Sequence, residues 1–428
     1  MRAAIPRRNA QTATAMNGKV SSWKLKRELA RVVRQINTRF PMISTLLRSC
    51  SGPDLYDFLA RRRLKRSAGN APFTSGPVRF RKKVAIYLLS PDRGVEETHI
   101  ASLEYLIAKG YAPVVVCGQP ISDADRARLL GQSAIYIERT NIGDVLDGYR
   151  EAVLSLRPLL PRLKRLVMLD DSRWLTVSKG CDWIEQAEAL NKDFAAAASC
   201  CRFPDTETSD HRALRWTYGA SETDLHYCSF ALMISAKVLR ASGFMEFWHR
   251  LQTVTASAGA LDGRETGLGQ WVMRQGFSHG ATCDMRDLDK ELDRLSDARL
   301  RWIVDNLVLV AEPGLARIKS AILDADRPDR ADMMGLILTA VARQGSNDCL
   351  AHYALGERKF GFLRKSPVYL EEDASNATIR IACSLDGRNG EAILREAVAL
   401  RNARAAHFRP ELRLDDHHRQ DVSQPEVH

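Results

Sequence analysis

Two adjacent carboxylates follow a short apolar run in the first half of the chain. The run is Leu166-Val167-Met168-Leu169, and the acids are Asp170 and Asp171. Carboxylates at the end of a buried strand can hold Mg²⁺ or Mn²⁺, and the metal can hold a diphosphate. Such a cation would neutralise the charge that develops on a nucleotide diphosphate as a sugar departs. A strand end that turns into solvent, or an N-cap, gives the same pattern, and this alternative stays open.

Other polar turns could join the acids in one site. Acid-containing turns follow three apolar runs, at residues 90–94, 139–144 and 170–174. Ligands of open parallel sheets bind at the carboxyl ends of the strands, so these turns are candidates for one site. Asp144 and Asp147 lie in the first turns of a helix predicted from Gly143 and could contact a ribose or sugar hydroxyl. Acids at that place also stabilise the helix dipole, which is the structural alternative.

Two further side chains are candidates for chemistry. Glu265 lies in the first turn of a helix predicted over 262–275 and could act as the general base that deprotonates an acceptor hydroxyl. His226 could bind phosphate or metal. Alternatively, Glu265 is an acid that only stabilises the first turn of its helix, and His226 is a half-buried histidine without a chemical role. The motifs G-x-G-x-x-G after the first strand, G-x-x-x-x-G-K-[ST] and G-x-S-x-G are absent, which argues against dinucleotide-binding, P-loop and serine-hydrolase proteins.

The elements that would position these residues alternate along the chain. Apolar runs predict strands over residues 84–89, 113–117, 134–138 and 166–169, and helical spacing predicts helices over 96–109, 122–130 and 143–156. This alternation predicts an α/β fold with a parallel sheet between helices. Further strands are expected at 193–201 and 231–234, and the chain beyond residue 284 is expected to be mainly helical to about residue 404.

Composition and charge divide the chain into four predicted segments. They are a basic helical N-terminal arm with its linker (1–82), an α/β core (83–283), a mainly helical C-terminal region (284–408) and a polar tail (409–428). The nine cysteines form no C-x-x-C pair and most lie in apolar runs, which is typical of buried thiols in a reducing compartment.

The basic arm predicts a partner that carries phosphate. Residues 1–83 hold 20 Lys or Arg against 3 Asp or Glu, whereas the remainder of the chain holds 43 Lys or Arg against 49 Asp or Glu. Basic helices predicted over 22–38 and 53–66 suit an anionic membrane surface, although they could instead pack on the domain. Nucleic acid is less favoured because few aromatic residues lie among the basic ones. The start lacks a signal-peptide pattern and no apolar run approaches the ~18 residues of a membrane span. We therefore expect a cytoplasmic protein, peripheral to the inner face of the membrane.

Six ordered blocks carry a family resemblance. They are Val84-Ala85-Ile86-Tyr87, Asn141-Ile142-Gly143-Asp144, Gly148-Tyr149-Arg150, Leu169-Asp170-Asp171-Ser172, His226-Tyr227-Cys228-Ser229-Phe230 and Glu265 with Gly267-Leu268. In order and spacing these blocks resemble the rhamnan synthesis F family of bacterial polysaccharide biosynthesis. They span just under half of the chain, and Asp170 stands where the family more often has Asn. The later stretch at residues 360–367 is faintly similar to the C-terminal segment of the family.

The resemblance implies a GT-A-like nucleotide-diphosphosugar transferase core and a role in rhamnan or O-antigen assembly. The sugar would pass from a nucleotide-diphosphate donor, with dTDP-rhamnose as one candidate, to a lipid-linked glycan. Asp170 and Asp171 would hold the metal, with Asp171 also catalytic, and Glu265 would activate the acceptor. The residues expected to contact the nucleotide sugar are Asn141, Gly143, Asp144, Ser172 and His226. The alternatives are a non-catalytic scaffold in a polysaccharide assembly complex and a nucleic-acid-binding protein that uses the basic arm.

Overall fold

The computed structural model describes a large part of the chain. The described residues are 52–67, 73–139, 145–175, 181–201, 211–212, 214, 216, 225–257 and 267–408. The chain divides into two compact units, Met1–Leu55 and Tyr56–His428, and the account below concerns the second. Within the described residues, no helix combines the length and the apolar character that a membrane crossing needs.

The elements of the core come first in chain order. They are α1 (Gly52–Ser67), β1 (Phe73–Ser75), β2 (Lys83–Leu89), α2 (Glu97–Ala108), β3 (Ala112–Cys117), α3 (Asp123–Gly131), β4 (Ile135–Glu138), α4 (Val145–Leu156), β5 (Arg165–Asp170), β6 (Arg173–Leu175), α5 (Trp183–Ala189), β7 (Phe194–Cys201), β8 (Leu225–Tyr227), β9 (Ala231–Ser235), α6 (Ala236–Leu239), α7 (Ser242–Ser257), α8 (Leu268–Arg274) and β10 (His279–Cys283).

The remaining elements are mostly helices. They are α9 (Leu288–Asp293), α10 (Asp297–Asp305), α11 (Pro313–Asp324), α12 (Arg330–Gln344), α13 (Ser346–Cys349), α14 (Ala351–Glu357), β11 (Phe362–Arg364), α15 (Pro367–Leu370), α16 (Glu372–Cys383) and α17 (Gly387–Phe408). The short strand β11 is not predicted from the sequence.

The main sheet confirms the predicted α/β class. Its strand order is β1-β4-β3-β2-β5-β9-β7-β10, with β8 paired to β7. Strands β4, β3, β2 and β5 are mutually parallel, as the alternation of strands and helices predicts. Strand β9 runs antiparallel between β5 and β7, and β10 returns parallel to β7. The sequence identifies β9 as a strand but does not reveal its reversed direction, and it does not reveal β10.

Both faces of the sheet are buried. On β2, Ala85, Tyr87 and Leu89 belong to one hydrophobic cluster, whereas the alternate residues Val84, Ile86 and Leu88 belong to another. Helices α2 and α5 contribute to the first cluster, and α4 and α7 contribute to the second. Burial on both faces explains why the parallel strands appear in the sequence as continuous apolar runs.

A third hydrophobic cluster joins the C-terminal region to the core. Strands β6 and β11 form an antiparallel two-stranded ribbon in which Leu363 pairs with Trp174. Both side chains are buried in this cluster, together with Val368 of α15, Ile381 of α16 and Ile393 of α17. Because β6 directly follows the Asp170-Asp171-Ser172 turn, hereafter the acidic turn, the ribbon places C-terminal residues beside that turn.

The end of the predicted basic arm packs on the sheet. Helix α1 confirms the helix expected over 53–66, and its Ala60 and Leu64 are buried. Asp57 accepts a hydrogen bond from the Phe80 amide at 2.7 Å. The linker expected over residues 67–81 is wrong in part, because β1 (Phe73–Ser75) lies within it and pairs with β4. The helix expected over 22–38 lies outside the described residues.

Candidate functional site

The acidic turn lies at the carboxyl ends of two central strands. Strand β5 ends at Asp170, next to β2 in the sheet. The Asp170 amide donates to the Phe230 carbonyl and the Asp171 amide donates to the Leu88 carbonyl, both at 3.0 Å. These bonds fix the turn to strands on either side of it. This is the place at which open α/β sheets bind ligands.

Asp170 is buried and is held by its own turn. Its Oδ1 accepts a hydrogen bond from the Ser172 amide at 2.9 Å and another from the Ser172 hydroxyl. Burial raises the pKa of Asp170 above its usual range, although the Ser172 hydrogen bonds and the nearby Arg173 oppose this effect. Ser172 therefore orients this carboxylate, a role that differs from the predicted contact with the nucleotide sugar and does not conflict with it.

Asp171 is held by residues from two other segments. Its Oδ2 accepts the Ser90 amide at 3.1 Å and lies 3.6 Å from His99 Nε2. Burial raises the pKa of Asp171 to about 6, although Lys365 and the Ser90 amide act in the lowering direction. The side chain is 19% exposed, so it keeps some access to a ligand.

His99 presents an N–H group to Asp171. Its Nδ1 accepts the Glu96 amide at 3.0 Å, so the neutral ring carries its proton on Nε2. Burial, together with the nearby Lys365, lowers the pKa of His99 to about 3. The ring is therefore neutral at physiological pH, and it contributes a dipole to the acidic turn without adding a charge.

A buried ion pair from the C-terminal region lies beside His99. The Nζ of Lys365 is 2.8 Å from Glu396 Oε1 on α17 and 3.4 Å from His99 Nε2. The Thr98 hydroxyl donates to the other Glu396 oxygen. Burial acts to raise the pKa of Glu396, but Lys365 and Thr98 hold it below its usual range. The acidic turn is thus connected through His99 to α17.

The structure brings together some of the predicted site residues. Asp170, Asp171 and Ser172 share the acidic turn. His226 lies on β8 opposite Cys200 of β7, and both β9 and β7 separate β8 from β5, so sheet order alone does not bring His226 to the turn. The remaining predicted residues lie outside the described part of the chain; they are Asn141, Gly143, Asp144 and Glu265.

Sequence reasoning missed the residues that surround the turn. His99, Lys365 and Glu396 come from α2, the end of β11 and α17. His99 and Glu396 lie in no motif, and Lys365 lies in the stretch at residues 360–367 without having been assigned to the site. The proximity of the three residues depends on the ribbon and on the packing of α17 against α2. The polar turn at residues 90–94 was an available signal, because it marked the position of Ser90 after β2.

The acid pair fits a divalent cation that shares its ligands with a substrate. Hydrogen bonds from described residues reach Oδ1 of Asp170 and Oδ2 of Asp171, which leaves one oxygen on each carboxylate. In the same described part, no group of three or more potential metal-binding side chains occurs. Mg²⁺ is commonly bound by one or two carboxylates, water and substrate phosphates. The donor set therefore suits a metal that is completed by a bound diphosphate.

Comparison with known proteins gives one similar sequence. The uncharacterized protein y4gN of Sinorhizobium fredii (strain NBRC 101917 / NGR234) is 25% identical over 241 residues. The match covers 56% of this chain and 58% of that protein. This chain therefore spans less than two thirds of the relative's length. No family model matches the chain.

Similar solved structures include three glycosyltransferases. Core-mannan synthase A from Aspergillus fumigatus in its Mn/GDP form has a TM-score of 0.24 and 10% identity, over 40% of this chain and 64% of that one. The Pyrobaculum calidifontis mannosyltransferase PcManGT, solved with GDP-Man and Mn²⁺, has a TM-score of 0.27 and 15% identity, over 81% of this chain and 87% of that one. The apo form of the glycosyltransferase GlyE from Streptococcus pneumoniae TIGR4 has a TM-score of 0.24 and 12% identity, over 56% of this chain and 50% of that one.

The fold class is α/β, and the GT-A-like core stays a prediction of the family resemblance. The sheet of this chain shows that class directly: β4, β3, β2 and β5 are parallel, the acidic turn follows β5, and the antiparallel strand β9 lies directly beside β5.

Proposed function

We propose that this protein is a glycosyltransferase that takes a sugar from a nucleotide-diphosphate donor. The observation that carries the proposal is the acidic turn at the carboxyl ends of β2 and β5. There Asp170 and Asp171 each keep one carboxylate oxygen that is not engaged by the described residues. The donor diphosphate binds at this turn through Mg²⁺ or Mn²⁺ held by the two acids.

The chain's own residues orient the acids for this task. Ser172 holds Oδ1 of Asp170, and the Ser90 amide holds Oδ2 of Asp171, with the N–H of neutral His99 directed at that region from 3.6 Å. A bound divalent metal supplies positive charge that stabilises the leaving diphosphate. Because the acids are held before the ligand arrives, little reorganisation is needed when charge develops.

The substrate assignment rests on the ordered sequence blocks. We propose a role in cell-surface polysaccharide assembly of the rhamnan or O-antigen type, with dTDP-rhamnose as donor and a lipid-linked glycan as acceptor. Glu265 is assigned to acceptor activation, and His226 to support of the diphosphate. Asn141, Gly143 and Asp144 are assigned to the nucleotide or donor sugar.

We also propose that the protein works at the inner face of the cytoplasmic membrane. Helix α1 supports this proposal, because its Phe58 and Leu59 are 59% and 37% exposed on a helix that also carries exposed Arg62. Exposed apolar side chains beside basic ones are typical of binding to an anionic membrane surface. This location would bring the site close to a lipid-linked acceptor.

A thermal-shift screen tests the donor site. Purified protein is mixed with UDP-, GDP- and dTDP-sugars, including dTDP-rhamnose, with and without Mn²⁺, and the screen is repeated on Asp171→Ala. We expect metal-dependent stabilisation by one nucleotide class that the variant loses. If no nucleotide sugar shifts the melting temperature, the proposal fails and a non-catalytic scaffold becomes the better account.

A further inference from the structure

Lys365 reaches the acidic turn from the C-terminal region through a defined backbone connection. The ribbon pairs Arg364 with Arg173, and the next amide, that of Lys365, donates to the Ser172 carbonyl at 3.1 Å. The main chain at residue 365 is therefore attached to the turn that carries Asp170 and Asp171. The position of the lysine is set by the fold and not by a mobile surface loop.

The ammonium group of Lys365 has spare hydrogen-bond donors. It carries three N–H bonds, and Glu396 Oε1 at 2.8 Å accepts one of them. His99 Nε2, at 3.4 Å, does not accept another because this nitrogen bears the ring proton. Among the described residues, Glu396 is thus the one firm acceptor for a side chain that is only 13% exposed. The Nζ atom also lies 5.8 Å from the centroid of the Trp174 ring. Its remaining N–H bonds are available to a further acceptor.

The charges around the lysine favour an anion once the acids hold a metal. Asp170, Asp171 and Glu396 place three carboxylates near one ammonium. A divalent cation on the acid pair would balance the two aspartates, and Lys365 would then be a second cation beside the same turn. A diphosphate carries acceptor oxygens on both phosphates, and charge-assisted hydrogen bonds to such oxygens are strong.

We propose that Lys365 binds the diphosphate of the nucleotide-sugar donor directly, as a second cation beside the metal. Glu396, which is 6% exposed, and Thr98 are positioning residues that hold the ammonium at this place. The C-terminal region thereby supplies a binding residue of the donor site. This inference rests on the proposed function, because it requires a nucleotide diphosphate at the acidic turn.

Two binding measurements on the full chain test the role of Lys365. Isothermal titration measures the affinities for GDP, UDP and dTDP in the presence of Mn²⁺, and electron paramagnetic resonance measures the binding of Mn²⁺ alone. The variants are Lys365→Met, Lys365→Arg and the control Lys290→Met, which removes an exposed lysine that pairs with Asp287 on the surface.

We expect Lys365→Met to lower the affinity for the tightest-binding nucleoside diphosphate at least tenfold, as the loss of a charge-assisted hydrogen bond predicts. Mn²⁺ alone should bind as well as before or more tightly, because a positive charge beside the acids is gone. Lys365→Arg should recover part of the loss, and the control should match wild type. A purely structural role for Lys365 would weaken both ligands together.

The outcomes separate this inference from the proposed function. Unchanged diphosphate affinity in Lys365→Met, or parallel loss of Mn²⁺ and diphosphate binding, would overturn the role of Lys365 and leave the donor site standing. Wild-type protein that binds neither Mn²⁺ nor any of the three diphosphates would overturn the proposed function, and the role of Lys365 with it.

Discussion

At the scale of single residues, Asp171 links the site to the stability of the protein. Burial raises its pKa to about 6, whereas an aspartate in an unfolded chain titrates near ~3.9. The folded state therefore favours the protonated acid. The contribution of this group to stability is fully present below the unfolded pKa and is lost as the pH rises through 6.

The pH dependence predicts the effect of removing this charge. Asp171→Asn should stabilise the metal-free protein, and the gain should grow by roughly 2 kcal/mol between pH 4 and pH 8. Urea denaturation at several pH values measures it, with Asp92→Asn as a control at an exposed acid. A gain that does not depend on pH would show that the charge of Asp171 is not the cause.

The acidic turn could be predicted from sequence because the apolar strand and its acids are contiguous. The partners of Asp171 could not be predicted in this way. His99 lies inside a helix, and Lys365 follows a strand of three residues. Only the packed structure shows that both side chains approach the same turn.

At the scale of elements, the ribbon of β6 and β11 is expected to stabilise the C-terminal region. Leu363→Ala should cost about 2–4 kcal/mol, because the side chain is buried against Trp174 in the third hydrophobic cluster. Chemical denaturation measures the loss. Leu370→Ala on α15 is the matched control, since that leucine is exposed and its replacement should change stability by less than about 0.5 kcal/mol. Equal losses would contradict the packing.

The edge strand β1 depends on a close backbone approach at Gly76. A Cβ atom there would lie 2.1 Å from the Ser133 carbonyl oxygen, so Gly76→Ala must displace backbone. We expect a loss of about 1–3 kcal/mol in urea denaturation. Gly131→Ala is the control, because no heavy atom lies within 4 Å of the added carbon. A Gly76 variant as stable as its control would refute the close approach.

The accuracy of the element predictions follows from how each element is buried. Strands β2, β3 and β5 are covered on both faces and so appear as apolar runs. Strand β10 shows no such run, since four of its five residues are only half-buried. The direction of β9 depends on its partners β5 and β7, and a single strand does not contain that information.

At the scale of the whole molecule, the charge is divided between a basic N-terminal arm and a mildly acidic remainder, so the arm is the part that we expect to bind an anionic membrane surface. Removing the whole arm would also remove Ala60 and Leu64 from the core, so point substitutions make a cleaner test of membrane binding. Phe58→Ser with Leu59→Ser should lower the fraction bound to phosphatidylserine vesicles severalfold, because both side chains are exposed on α1.

The matched control for membrane binding is Tyr369→Ser with Leu370→Ser. This pair is also exposed but is followed by Glu371 and Glu372, so no anionic surface should attract it. Sedimentation with the vesicles measures both double variants. Equal binding by the α1 variant and wild type would remove α1 from the membrane contact.

The central claim is that a metal–diphosphate complex binds at the acidic turn. The most direct measurement is anomalous diffraction from crystals grown with Mn²⁺ and the nucleotide diphosphate that binds best. We predict a Mn²⁺ peak in contact with a carboxylate oxygen of Asp170 or Asp171, with the diphosphate bound to the same ion. A nucleotide and metal bound elsewhere, with the acidic turn occupied by water, would contradict the claim.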